Sequence, residues 1–169
     1  RSGSSWLYRE IHSSLWDGHS RFAWVDQGGE IKVNLIIPDQ QRLVVFVIPG
    51  ETVVKVGFGF GEYRLNKAYD LGRLEKQGGK LLMRTLQNYL GIGINGWKVG
   101  SITNLSNWDK FRLNWFKLFS ARGRVKTIQS INEALVHQEI FDEKLSAEQL
   151  SVAVLNASGV DGAAAEVSR

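Results

Sequence analysis

The chain has no cysteine and only two prolines and one methionine in 169 residues. Without cysteine there is neither a disulfide framework nor a thiolate metal site. The three histidines, His12, His19 and His137, stand apart. No H-x-x-H or H-E-x-x-H spacing exists, so a zinc site lacks its usual ligands. No run of about 18 apolar residues occurs, and the N-terminus shows no signal-peptide apolar core. The stretch therefore reads as soluble, and as a piece of a longer protein, because it stops at Arg169 inside a helical pattern. Nucleotide loops are missing too. The run Gly57-Phe58-Gly59-Phe60-Gly61 lacks the glycine at 62 that G-x-G-x-x-G requires. Around Gly78-Gly79-Lys80, leucines at 74 and 81 replace the glycine and hydroxyl residue of a P-loop. The first run reads as a hairpin tip with two phenylalanines.

What is present is a patterned α/β chain. Net charge is +4, mild for a nucleic-acid binder, so the distribution of charge carries more weight than the total. A six-residue apolar run at 43–48 is too short for a typical helix and reads as a strand covered on both faces. Pro49-Gly50 stops it, and a second strand, 52–56, follows. Before these, 21–25 and 30–37 read as strands around a Gln27-Gly28-Gly29 turn, with Ile31, Val33 and Leu35 alternating with Lys32 and Asn34. Trp6, Trp16, Phe22 and Trp24 read as core or rim packing. A helix over 79–90 places Leu82, Leu86, Tyr89 and Leu90 on one face and closes at Gly91. A strand at 96–100 completes a crossover. The segment 6–15 has apolar residues near helical spacing. Ser130-Ile131-Asn132-Glu133 is a capping box.

The turn and the segments after it carry a resemblance. Ile48-Pro49-Gly50-Glu51-Thr52-Val53, Leu65-Asn66-Lys67-Ala68-Tyr69, and a helix opening at Gly78-Gly79 and ending Tyr89-Leu90-Gly91-Ile92 together resemble the LytR-CpsA-Psr family. The likeness spans about residues 17–102. Farther on, Val152-Ala153-Val154-Leu155-Asn156-Ala157-Ser158-Gly159 resembles the opening of the LytR C-terminal domain. The resemblance implies an α/β domain with a mixed central sheet flanked by helices over 17–140. A linker or helix (1–16) precedes it, and a linker (141–150) leads to the first strand and helix of a small C-terminal α/β domain (151–169). It implies an extracytoplasmic location, with an anchoring transmembrane segment upstream of Arg1. The implied activity transfers a glycopolymer from a polyprenyl-pyrophosphate carrier to the cell wall, with a divalent metal such as Mg2+.

The chain also departs from the family. Gly50 stands where the family has arginine and Glu51 where it has aspartate, and no later arginine-rich motif is found. Phosphoryl transfer needs cations around the diphosphate and carboxylates to hold a metal. Glu51 and Arg64 are the catalytic candidates, and Asn66, Lys67, Arg73 and Arg84 the substrate-binding ones. Glu51 and Asp17 are candidate metal ligands. With so many donors missing, the preferred reading is a remodelled domain that binds or scaffolds an envelope glycopolymer or polyprenyl-phosphate lipid. An active transferase is the alternative.

Ser106 or Asn107 can cap a helix over 108–119. Trp108, Phe111, Trp115, Leu118 and Phe119 form its apolar stripe. Lys110, Arg112, Lys117, Arg122, Arg124 and Lys126 stand against Asp109 alone. The preferred reading packs the stripe into the core and leaves the basic face in water. A membrane-surface role for Lys110, Arg112 and Lys117 ranks second. A phosphate backbone ranks third, so nucleic acid is not expected.

Overall fold

The computed structural model describes Ser5, Tyr8, Arg9, residues 12–120 and residues 124–129. All of them belong to the first of two units, Arg1–Ile131. The expectations for Trp6, Leu7, Ile11, Arg122, the capping box at Ser130, His137 and everything beyond fall outside the described residues.

The first strand, β1 (Phe22–Gln27), turns through the glycine pair into β2 (Ile31–Ile37). The two pair antiparallel from Phe22↔Ile36 to Gln27↔Ile31. β2 pairs antiparallel with β3 (Arg42–Ile48) after a single 3-10 turn at Pro38–Gln40. The apolar run is thus a central strand with Leu43, Val44, Phe46 and Ile48 buried. The edges are β6 (Gly96–Val99), parallel to β1 and extended by β7 (Ile102–Thr103), and β8 (Val125–Gln129), parallel to β3. The mixed sheet runs β7-β6-β1-β2-β3-β8.

The strand after Pro49-Gly50, β4 (Val53–Val56), leaves this sheet. It forms a separate hairpin with β5 (Gly61–Arg64), in which Val53 opposes Arg64 and Val56 opposes Gly61. Sequence reading had no strand at β5 or β8. At the hairpin tip Phe58 is exposed, with φ of 57°.

Helices lie on both faces. A short helix, α1 (Ala68–Arg73), leads to α2 (Gly78–Leu90), which buries Leu81, Leu82, Thr85, Leu86 and Leu90 and ends at a left-handed Gly91. A left-handed residue at that position suits glycine because no Cβ opposes the turn. Gly79 lies so close to Trp97 of β6 that a Cβ there would fall 2.0 Å from the indole. α2 therefore covers the face bearing Trp97, Val25 and Phe46. The opposite face takes α3 (Asn107–Trp115), continued by a π-helical turn at Phe116–Ser120. Trp16, Phe22, Trp24, Ile36, Leu43, Leu105, Leu113 and Phe116 form one core cluster there. Asn34 lies buried on this face opposite Trp24 rather than outward, because both faces of β2 are covered.

Candidate functional site

The turn after β3 sits at the ends of the parallel strands, where open α/β sheets place their ligands. Its shape is fixed by backbone bonds. The Thr52 amide donates to the Pro49 carbonyl at 3.0 Å, Leu65 to Thr52 at 2.9 Å, and Asn66 to Gly50 at 2.9 Å. The turn is thereby bound to the 3-10 segment Leu65–Lys67. Gly50 packs closely on Asn66: a Cβ there would lie 3.1 Å from Asn66 Cβ, so that side chain would have to give by a few tenths of an ångström. Glu51 accepts from Asn66 Nδ2 at 3.0 Å and pairs with Arg64 at 2.7 Å. The side chain of Gln27, the last residue of β1, donates to the Asn66 carbonyl at 3.2 Å. The corner thus gathers Glu51, Arg64 and Asn66, with Lys67 exposed beside them. Two acceptors in it, Gln27 Oε1 and Asn66 Oδ1, are buried without a protein donor.

The remaining candidates lie elsewhere. Arg73 borders a hollow of about 430 Å3 with Tyr69, Lys76, Lys80 and Trp97. The stem of Arg84 packs where a Cβ on Gly57 would meet its Cγ at 2.8 Å, against the hairpin rather than the turn. Asp17 precedes β1, while Glu51 follows β3, and the two strands run parallel through their shared partner β2. The length of a six-residue strand, roughly 20 Å, separates these ends, so the two carboxylates cannot share an ion. Asp17 Oδ1 instead accepts from the His19 and Ser20 amides and the Ser20 hydroxyl, each at 2.8–2.9 Å. The Ser20 amide first, then the His19 amide, holds its pKa down at about 2.

Lys110, Arg112 and Lys117 do not form one basic face. Arg112 donates to the Trp16 carbonyl at 2.8 Å and lies over the Trp108 ring. Lys110 approaches Asn107 Oδ1 at 3.4 Å. Lys117 is exposed as a residue, yet its ammonium sits 4.9 Å from the centre of the Trp24 ring. Desolvation there pulls its pKa below the usual lysine range, with Asp26 opposing and Lys98 reinforcing. Asp26 and Lys98 are register partners on β1 and β6 and approach within 3.6 Å. Sequence reading missed this Asp26–Lys98–Lys117 group. Its local signal was a charge continuing the Phe22-Trp24 alternation.

The aromatic stripe is the main correction. Phe111, Trp115, Leu118 and Phe119 are each more than half exposed. The buried side of α3 carries Asp109, Leu113 and Phe116 instead. Asp109 closes the capping box with Ser106 and also accepts from the Ser14 hydroxyl and the Leu15 and Trp16 amides.

A divalent ion bound by this corner would want hard oxygens and net negative charge. The orphaned carbonyls of Gln27 and Asn66 supply oxygens. The only carboxylate among the corner residues named above, Glu51, is already neutralised by Arg64. Among the described residues no cluster of three or more His, Asp or Glu exists. As described, the corner offers a metal two neutral carbonyls and one ion-paired carboxylate.

Fold and corner together define a mixed α/β domain with a polar, ion-paired turn at its strand ends. No protein-family model matches the chain, and no curated protein matches it. Among solved structures it is similar to TagT of the LytR-CPS2A-psr family with bound octaprenyl pyrophosphate lipid. That match has 17% identity and a TM-score of 0.42, over 48% of this chain and 35% of that one. It is also similar to Bacillus subtilis TagU, with 19% identity and a TM-score of 0.40, over 46% and 33%. A third similar structure, TagT bound to LIIa-WTA, gives 16% identity and 0.41 over 47% and 32%. The chain thus spans about a third of the length of these structures. So partial a likeness assigns neither activity nor ligand to this chain.

Proposed function

We propose that this is an extracytoplasmic cell-envelope domain of LytR-CpsA-Psr type, remodelled for binding, which holds a glycopolymer or polyprenyl-phosphate lipid without transferring it. The observation carrying this reading is the ion-paired turn: position 50 carries no side chain, and the Glu51 carboxylate is taken up by Arg64 and Asn66. A carboxylate so paired is a poor base and a poor metal ligand, because its lone pairs and charge are already engaged. A diphosphate approaching the corner would compete with Glu51 for the Arg64 guanidinium, with Lys67 adding a second cation. Such exchange supports reversible binding. The motif resemblance supplies the ligand class and the envelope location.

A second reading is favoured by one distance. Arg64 lies 2.7 Å from Glu51 and so stands near the charge that Gly50 lacks, as an active transferase would need. The whole chain, mixed with a sugar-linked polyprenyl diphosphate and Mg2+ in detergent, separates the two. Calorimetry is expected to show binding that weakens about tenfold in Arg64→Ala, with no polyprenyl phosphate released. Release that disappears in Glu51→Gln would establish the transferase, and absence of binding would defeat both readings.

A further inference from the structure

α3 and its π-helical extension have two apolar sides, and among the described residues one of them is packed into the core. The inner side packs Leu113 and Phe116 into the core. On the outer side the rings run in continuous contact. Trp108 stacks on Phe111 at 5.5 Å, Phe111 meets Trp115 at 6.2 Å, and Trp115 meets Phe119 at 4.2 Å. Leu118 extends the patch, and Phe111, Trp115, Leu118 and Phe119 are 54–59% exposed. Beside the ladder is a hollow of about 410 Å3 bordered by Trp16, His19, Trp108 and Trp115, with Asp17 and Arg112 on its rim. Contiguous apolar surface of this kind marks an interaction site.

We propose that this outer face seats the domain on an anionic phospholipid surface. Indole and phenyl rings are suited to the headgroup level, where one edge is apolar and the other wet. The charge is complementary. Lys110 and Arg112 lie on the same helix as the ladder, while the acid of that helix, Asp109, is turned inward and fully buried under donors from Ser14, Leu15, Trp16 and Ser106. Asp17, which also borders the hollow, is taken up by the His19 and Ser20 donors. The helix therefore presents its aromatic rings outward, with Lys110 exposed on its flank and Arg112, held by the Trp16 carbonyl, at the hollow beside them, which suits an element lying in the plane of an interface. It cannot cross the bilayer, since no helix among the described residues is long and apolar enough. The contact is independent of the Glu51 corner.

The test uses the whole chain and vesicles free of any polyprenyl diphosphate, so that failure at the corner leaves it unaffected. Co-sedimentation is expected with phosphatidylglycerol vesicles, about tenfold or more weaker with phosphatidylcholine. The double variant Trp115→Ser/Phe119→Ser should keep the wild-type denaturation midpoint, as both rings are exposed, and lose vesicle binding about tenfold or more. Lys110→Ala should weaken it about fivefold. Wild-type protein remaining in the supernatant with phosphatidylglycerol would overturn the proposal. So would a self-associating chain, measured by sedimentation velocity, whose dimer is lost in the double variant while vesicle binding is not.

Discussion

Replacing Asp109 by asparagine should be among the most damaging single-atom changes in this domain. Its Oδ1 accepts from the Ser14 hydroxyl at 2.5 Å and the Trp16 amide at 3.1 Å. Its Oδ2 accepts from the Leu15 amide and the Ser106 amide, both at 3.0 Å, and the Ser106 hydroxyl at 2.9 Å. Hydroxyls can rotate to accept from a new NH2, but backbone amides cannot. If the amide nitrogen replaces Oδ1, Trp16 N–H is orphaned; if it replaces Oδ2, Leu15 and Ser106 are. One buried orphan donor costs about 1–3 kcal/mol, and the surviving bonds lose their charge assistance. The sum is about 2–4 kcal/mol, a large share of the ~5–15 kcal/mol typical of a domain. The assay is urea unfolding followed by tryptophan fluorescence, wild type against Asp109→Asn. The pH dependence has a definite sign. Burial alone would raise the carboxyl pKa, but the bonds from Ser14, Leu15, Trp16 and Ser106 outweigh it and hold it below its ordinary 3.8. A depressed folded pKa contributes stability that is complete above the unfolded value and lost as pH falls through the folded one. The gap between the two proteins should be full at pH 7 and close progressively below about pH 4. A variant within about 0.5 kcal/mol of wild type at pH 7 would refute the reasoning.

Two further outcomes test the packing and the corner. Gly79→Ala should destabilise by about 1–3 kcal/mol or more, seen as a lower thermal midpoint, because the new Cβ would lie 2.0 Å from the Trp97 ring; an unchanged midpoint would mean that α2 sits farther from β6. Arg64→Ala should change the denaturation midpoint by less than about 1 kcal/mol, since both partners of its ion pair with Glu51 are more than 60% exposed, so a large loss would show the pair to be structural rather than available to a ligand.

What could be read from the sequence follows the range of the interaction that fixes each element. β3 and α2 were legible because their apolar periodicity is local, and Pro49-Gly50 and Gly91 punctuate them where they end. In the sequence Glu51 and Asn66 were linked only as candidates of one site, through the motif resemblance; their contact was not foreseen, since nothing local brings positions 15 apart together. β5 is exposed at every position and β8 at all but one, so neither carries a burial pattern. Their places depend on partners, β4 and β3, that the chain reaches only after folding. The Asp26–Lys98 pair likewise depends on β6 lying beside β1.

α3 failed for a different reason, and the failure locates the proposed membrane face. A helix with two apolar sides gives periodicity nothing with which to choose between them. The choice is made by Asp109. Its carboxylate must face the donors of the Ser14–Trp16 stretch, which lead into β1, so the side bearing Asp109, Leu113 and Phe116 is forced onto the sheet. At about 100° per residue, Phe111, two residues from both Asp109 and Leu113, then points away from it, and exposed Trp115 follows on that side one turn later. The aromatic ladder is outward because a buried acid is inward, and the change that frees Asp109 from its donors should also loosen the orientation of the ladder.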